Sequence, residues 1–304
     1  MRFTPTCKVT ALALLFTLSQ FVFNSAHALD IASYNIRNFD KDERANISTN
    51  KPALIATIKE ANADLFGVQE IVNQTAFDQL IRQNFPDYDY VLTKCGGAGN
   101  QKLGFVFRKS VLKLVSFKED ERLAGQGNCS KGVRPAAIGQ FMYLPKQISF
   151  TIINLHLKAG GTQANNDVRF RQFATVSQIL GEIRSKGQPN IVLTGDFNTT
   201  DYVLRNQNHQ RYLEFIEQNQ LIDFSAEVEC TAYWWGGSDD GLETPSILDH
   251  VISSESFREK FSEHTVEAQA HCKKVSCRET SAEELGLTYQ EVSDHCPLKT
   301  SFKD

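Results

Sequence analysis

Eight polar residues interrupt the apolar runs of this sequence at points where they could act together. Asn35 closes the run IASYN (31–35), and Glu70 follows DLFGVQ (64–69). His156 stands near the end of ISFTIINLHL (148–157), Asp196 and Asn198 lie in GDFN, Asp249 lies within ILDHV, and Asp294 and His295 are adjacent in SDHCP. A strand buried on both faces tolerates a carboxylate only when it is paired or bound to a cation, because an unpaired buried charge is very costly. Taken singly, each residue has an ordinary explanation. A Glu after a strand is usually solvated, and a GDxN is usually a turn whose Asp and Asn bond to their own backbone. Taken together their types are coherent: hard oxygen ligands suited to Mg²⁺ or Ca²⁺, with two imidazoles able to move protons near neutral pH.

The elements that must position these residues are legible as alternating periodicities. Residues 31–35, 64–69, 103–107, 148–157, 190–196 and 247–252 read as strands, several of them apolar on both faces and hence buried. Residues 51–62, with Pro52 in the first turn and Leu54, Ile55, Ile58 and Ala61 following, read as a helix. So do residues 167–185, with Phe173, Val176, Leu180 and Ile183 on one face. Both helices have the position of crossovers between strands. Strands 111–117 and 133–143 have no helix between them, which predicts antiparallel pairing, mixed sheets and an α/β or α+β class. No repeat, low-complexity segment or Pro/Gly/Ser linker divides the chain, so one domain over residues 29–304 is expected. The glycines at 96, 97 and 99 and the stretch 125–132 predict surface loops tied by Cys95 and Cys129.

The N-terminus has the charge order of a secretory leader: Arg2 and Lys8, an apolar run from Val9 to Phe23, then Ala26-His27-Ala28. Cleavage after Ala28 is expected, because the run includes Thr10, Thr17, Ser19 and Gln20 and is shorter than the roughly 20 apolar residues of a membrane span. The mature protein would then be secreted or periplasmic, soluble and without stable membrane association. Removing Arg2 and Lys8 with a leader that holds no carboxylate takes the formal charge from −4 to −6. No basic patch or stripe stands out along the chain, which argues against a binder that relies on counterion release alone. Catalysts that reach phosphates through a bound cation need less fixed positive charge. Six cysteines remain after Cys7 is lost, an even number for an oxidising compartment, so disulfides are expected. Proximity singles out Cys272 with Cys277. A zinc site is the rival reading, disfavoured because no CxxC occurs.

In their order and wording, SYNIRNF (33–39), VQE (68–70), INLHLKAGG (153–161), LTGDFN (193–198), ILDHV (247–251) and SDHCP (293–297) resemble the successive motifs of the endonuclease/exonuclease/phosphatase superfamily, whose type member is deoxyribonuclease I. The resemblance spans nearly the whole mature chain. It implies a four-layer sandwich, two mixed β-sheets face to face with helices outside and the active site where strand ends meet. It also implies that Asn35, Glu70 and Asp294 hold a divalent cation, Mg²⁺ or else Mn²⁺ or Ca²⁺. Asp196 and Asn198 would contact the scissile phosphate or a second cation, His156 and His295 would be the acid/base pair, and Asp249 would orient His295.

Arg134 in KGVRPAA matches an arginine that contacts phosphate in deoxyribonuclease I; a solvated loop arginine is the alternative. Trp234 and Trp235 in AYWWGG lie where relatives often carry aromatics near substrate, so one or both would support a base or sugar or pack in the core. The sequence departs from the type member where a glutamate would partner the first histidine and a tyrosine would enter the minor groove: GNQKLGFVF offers Gln101 and Gly99. The expectation is a nuclease acting on DNA, with RNA as a further substrate, a monomer for preference. A sphingomyelinase-like phospholipid phosphodiesterase and a non-catalytic binding protein on the same scaffold are the alternatives. An inositol-phosphatase reading is weaker, for want of clustered Lys and Arg.

Overall fold

A computed structural model describes Met1 and residues 28–40, 48–125, 129–199, 202 and 205–304. The leader expected over residues 1–28 lies almost wholly outside the described residues. In chain order the strands are β1 (Leu29–Phe39), β2 (Leu65–Ile71), β3 (Tyr88–Leu92), β4 (Lys102–Arg108), β5 (Leu112–Asp120), β6 (Ala136–Tyr143) and β7 (Ile148–His156). They continue with β8 (Ile191–Asp196), β9 (Leu221–Asp223), β10 (Ala232–Trp234), β11 (Thr244–Ser246), β12 (Asp249–Ser254), β13 (Glu263–Ala268) and β14 (Leu298–Lys303). They form two mixed six-stranded sheets, ordered β13-β14-β1-β2-β4-β3 and β5-β6-β7-β8-β12-β9, while β10 and β11 make a separate hairpin.

The longer helices, α1 (Lys51–Ala61), α2 (Gln74–Asn84), α3 (Gln163–Ser185) and α4 (Gln207–Gln218), cover the outer faces. Helix α1 joins the parallel pair β1–β2 and α3 joins the parallel pair β7–β8, the crossovers that parallel pairing requires. Helix α1 starts where the Asn50 side chain accepts from Ala53 N at 3.0 Å and stops at Asn62, which takes a left-handed conformation. Helix α3 begins four residues before the apolar stripe predicts, because Thr162 accepts from Asn165 N and caps a polar first turn. The antiparallel pairing expected of the 111–117 and 133–143 segments is that of β5 with β6.

Period-two alternation explains the layers. Ile31, Leu65, Ile152 and Val192 face the interior between the sheets, while their neighbours Ala32, Phe66, Ile153 and Leu193 face the helices. At Gly67 the sheets come too close for a side chain, since a Cβ there would lie 2.3 Å from Thr194 Oγ1. A polar plug ties the sheets together near one end. Asn154 on β7 donates to Val68 O and Gly104 O at 2.9 and 2.8 Å and accepts from Gln69 Nε2 at 2.7 Å. These buried bonds fix the relative position of the strand ends that bear Glu70 and His156. Among the described residues no helix is long and apolar enough to cross a membrane.

Cys95–Cys129, Cys230–Cys277 and Cys272–Cys296 are disulfides, which leaves no thiolate for zinc among the described residues. The pairing of Cys272 with Cys277 expected from proximity is therefore corrected. Cys277 N donates to Cys272 O in the turn that ends the short helix α6 (Ala270–Lys274), which follows α5 (Glu255–Arg258). Cys272 meets Cys296 at the foot of β14 while Cys277 faces Cys230. Because Cys296 adjoins His295, the Cys272–Cys296 bond also pins the SDHCP segment. Replacing both cysteines by alanine is expected to lower stability by about 2–5 kcal/mol, read as a shift of the thermal unfolding midpoint; an unchanged midpoint would show that the bond constrains nothing the fold does not already fix.

Candidate active site

Strand register alone gathers three of the eight residues. In the parallel pair β7–β8 His156 lies opposite Asp196, and in the antiparallel pair β8–β12 Asp249 lies opposite Asp196, so the three form one row across a sheet edge. Close approach of β7 and β8 there needs Gly195, whose φ is +137° and whose Cβ would meet Leu155 O at 2.0 Å. The other sheet supplies Asn35, where the β1–β2 ladder shifts register, and Glu70, held at a positive φ of 64° at the matching irregularity of β2 with β4. Positive φ in a residue with a Cβ is sparsely populated and costs of order 1–3 kcal/mol; such strain clusters at functional sites.

Contacts within this group are direct. Asn35 Nδ2 donates to Asp196 Oδ2 at 3.1 Å and to Glu70 Oε1 at 3.3 Å, and Asn38 N donates to Glu70 Oε2 at 2.7 Å. His156 Nε2 lies 3.5 Å from Asp196 Oδ2 and 3.6 Å from Glu70 Oε1. Asp196 Oδ1 accepts from Asn198 N at 2.9 Å, and Asn198 Nδ2 donates to Leu157 O at 3.2 Å, leaving its second amide hydrogen available. On the far side His295 Nδ1 bonds Asp249 Oδ2 at 2.7 Å, which turns Nε2 toward Asp196 Oδ2, 3.8 Å away. Ser293 Oγ donates to Asn35 O and accepts from His295 N, joining the SDHCP segment to the end of β1.

The electrostatics set the two histidines apart. Burial opposes a charge on His295, but the Asp249 and Asp196 carboxylates outweigh it and hold the ring's pKa well above the usual value. Burial, reinforced by Arg134 and His295, holds His156 well below it. Among the described residues His156 Nδ1 is buried without a hydrogen-bond partner, and none of them stands behind this ring to support its protonation. Gln101, at the position of the missing glutamate, donates instead to Asn38 Oδ1 and lies within reach of Arg134 Nη1. Burial and the Asp249 charge raise Asp196 to about 6 against the pull of His295, and burial with the Asp294 charge raises Glu70.

That crowding tests whether the site suits a divalent cation. The acids Glu70, Asp196, Asp249 and Asp294 outnumber the cations Arg134 and His295 beside them, and among the described residues the buried Asp294 Oδ1 has no partner, an arrangement that a hard cation would satisfy. Glu70 and Asp294 are the ligand candidates. Asn35 turns its oxygen to Arg37 N at 3.0 Å and its nitrogen to the acids, so in this arrangement it is a donor to the cluster.

Arg134 is buried, not a solvated loop residue. It donates to His156 O at 3.2 Å and Leu157 O at 2.6 Å, bracing the end of β7 from beneath. Trp234 and Trp235 are 44% and 60% exposed, so neither packs in the core. Their hairpin adjoins the site, since Tyr233 N donates to Asp294 O at 2.9 Å and Ala232 bridges to His295.

Residues not singled out from sequence complete the support. Thr231 Oγ1 accepts from both Leu248 N and Asp249 N at 2.9 Å, fixing the strand start that carries Asp249. Thr231→Val is expected to strand two backbone donors and cost roughly 1–3 kcal/mol for each. Denaturant midpoint and turnover should fall together; an unchanged midpoint would remove Thr231 from this role. His250, beside Asp249, is buried against Thr199 Oγ1, Ser225 Oγ and Tyr212 OH and so holds the segment after Asn198. Asn154 was discoverable by the same test that found His156, a polar residue inside a buried strand.

Residues 32–295 match the family described as Endonuclease/Exonuclease/phosphatase family. No curated protein sequence matches the chain. Among solved structures, an endonuclease/exonuclease/phosphatase family protein from Bacteroides thetaiotaomicron superposes with a TM-score of 0.62 at 20% identity, covering 92% of this chain and 96% of that one. The mannosyl-6-phosphatase Bt3783 of Bacteroides thetaiotaomicron gives 0.59 at 21% identity, covering 90% and 98%. TDP2 from D. rerio, complexed with single strand DNA product, gives 0.61 at 15% identity, covering 91% and 99%. At such identities the likeness is one of fold.

Proposed function

Because this chain belongs to the endonuclease/exonuclease/phosphatase family, hydrolases of phosphodiesters and phosphomonoesters that generally use divalent metal ions, we propose that it is a metal-dependent phosphodiesterase acting on nucleic acid, DNA first, after export and removal of its leader. The observation that carries the reading is the pair Asp249–His295 at 2.7 Å, its free ring nitrogen turned toward Asp196 at the centre of the acid cluster.

Hydrolysis of a phosphodiester requires a water to lose a proton, a leaving oxygen to gain one, and the added negative charge to be neutralised meanwhile. Asp249 orients the His295 ring so that Nε2 faces the reacting groups, and because Asp249 and Asp196 favour the imidazolium, Nε2 is the atom that gives a proton to the leaving oxygen. Such a group contributes roughly 10²–10⁴ in rate. His156, held neutral at rest, stands opposite His295 across Asp196 and is the ring open to the proton that the water loses. The free amide hydrogen of Asn198 meets a phosphate oxygen. A divalent cation on Glu70 and Asp294 would supply Lewis-acid charge to the phosphate.

For the substrate, Trp234 and Trp235 on the rim offer faces on which a base or sugar stacks, at about 1–3 kcal/mol per base. The DNA product seen with D. rerio TDP2 supports a nucleic-acid substrate on this fold. The same two indoles with exposed Leu242 favour a second reading, a lipid phosphodiesterase that seats this hairpin in a membrane. Its tip carries exposed Asp239 and Asp240, which resist entry into a bilayer. Rates of the purified protein with Mg²⁺ on an oligonucleotide, on sphingomyelin and on a sugar phosphomonoester decide the matter. Oligonucleotide cleavage fastest of the three is expected; phosphorylcholine release or monoester hydrolysis outpacing it would overturn the substrate.

A further inference from the structure

On the His156 side of the site a groove of about 720 Å³ runs between the end of β7 and helix α3. Four cations line it, Arg122, Lys131, Lys158 and Arg171, and none of its lining residues is a carboxylate. Arg122 is neutralised by Asp120 and Glu182. Lys131 and Arg171 are exposed and Lys158 half-exposed, and among the described residues none of the three has an acidic partner. Gln172 holds the backbone here by accepting from Lys158 N at 2.9 Å. The groove leads into the catalytic centre, because Lys158 follows Leu157, whose carbonyl receives both Arg134 and Asn198.

This concentration of positive charge stands on a chain whose formal charge is −4. It is invisible along the sequence because its members come from a turn, a loop, a strand end and a helix face. The cations are spread along an open trough and do not converge on one buried point, which suits a chain of anionic groups better than a single small anion. We propose that this groove binds the sugar-phosphate backbone of a nucleic-acid strand beside the scissile phosphate, with Lys131, Lys158 and Arg171 each facing a phosphate. The assignment rests on the nuclease reading and adds to it a path for the polymer: backbone in the basic groove, scissile phosphate at Asp196 and His295, and bases against Trp234 and Trp235 beyond. Each cation that neutralises a phosphate releases a counterion, so binding must weaken with salt in proportion to the number of contacts.

The test is binding of a labelled single-stranded oligonucleotide in EDTA over a range of NaCl, by fluorescence anisotropy. Lys131→Glu/Arg171→Glu is compared with wild type and with Lys109→Glu/Lys113→Glu, which makes the same charge change at exposed positions at the opposite end of the sheets. The groove variant is expected to bind at least about tenfold more weakly at low salt, and its log–log salt slope to be shallower by roughly 1.4, the value for two lost single-strand phosphate contacts. Equal losses in the two variants would overturn the groove, as would wild-type affinity in the groove variant. Preferential loss of binding to anionic phospholipid vesicles, with oligonucleotide binding intact, would overturn it in favour of a membrane. Wild-type cleavage of DNA, measured alongside, separates the two failures: a nuclease whose groove variant binds normally loses only the groove, whereas no cleavage removes the reading beneath it.

Discussion

His295→Ala is expected to reduce turnover on a phosphodiester by roughly 10²–10⁴-fold in a protein that still folds. The ring is the only group bonded to Asp249 Oδ2, and Asp249 Oδ1 is already buried without a partner among the described residues. Removing the imidazole therefore deletes the proton carrier and leaves a buried carboxylate uncompensated, which costs about 3–5 kcal/mol when one partner of such a pair is lost. Circular dichroism and an unfolding midpoint must accompany the kinetics, and His295→Gln keeps more of the volume if the alanine variant is too weak to purify. Because the two residues act as one unit, Asp249→Asn added to His295→Ala should lower the rate little further. A second loss as large as the first would mean that Asp249 acts on something other than this ring.

Asp196→Asn carries the second large effect, with the opposite sign on stability. Asp196 touches four other members of the site: Asn35, Asn198, His156 and, less closely, His295. Losing its charge while keeping its shape should lower turnover by at least about two orders of magnitude, the scale of removing a group that organises transition-state charge. The folded metal-free protein should nevertheless gain stability above pH 6. A carboxyl whose folded pKa is raised from 3.8 to about 6 binds protons more tightly when folded, so its contribution declines as pH rises between those values and remains unfavourable above them. An asparagine escapes that penalty. Unfolding midpoints of both proteins in EDTA at pH 4 and pH 8 check this: the variant's advantage should appear at pH 8 and shrink at pH 4. A variant less stable than wild type at pH 8 would show that the hydrogen bonds to Asp196 outweigh its burial.

Much of this arrangement was legible in the sequence because the physics is local there. Strands such as FTIINLHL and IVLTGD are apolar at consecutive positions, which marks burial on both faces, and a polar residue in such a run must have a reason to be there. His156, Asp196 and Asp249 stand out on that ground. Asn154 meets the same test, whereas the role of Thr231 depends on strands that meet only after folding. Helix α3 starts ahead of its apolar stripe because its first turn has no apolar periodicity and is set by the Thr162 cap. The disulfides were illegible for a related reason: Cys272 and Cys277 are near in sequence, yet Cys277 lies past the end of α6, facing Cys230. Arg134 could not be distinguished from a loop arginine until the carbonyls of His156 and Leu157 were seen to enclose its guanidinium.

The basic groove illustrates the same limit for charge. Composition gives a net-negative chain and no run of Lys and Arg, and both statements hold. Local potential depends on which side chains share a surface, and Lys131, Lys158 and Arg171 do so only because α3 packs across the end of β7.

The most direct test of the central claim is conversion of supercoiled plasmid to nicked circles by the purified protein. Nicking that requires Mg²⁺, stops with EDTA and falls at least about a hundredfold in folded His295→Ala is the result expected of this site. Plasmid left intact by the wild-type protein with Mg²⁺, or nicked at the wild-type rate by His295→Ala, would contradict it.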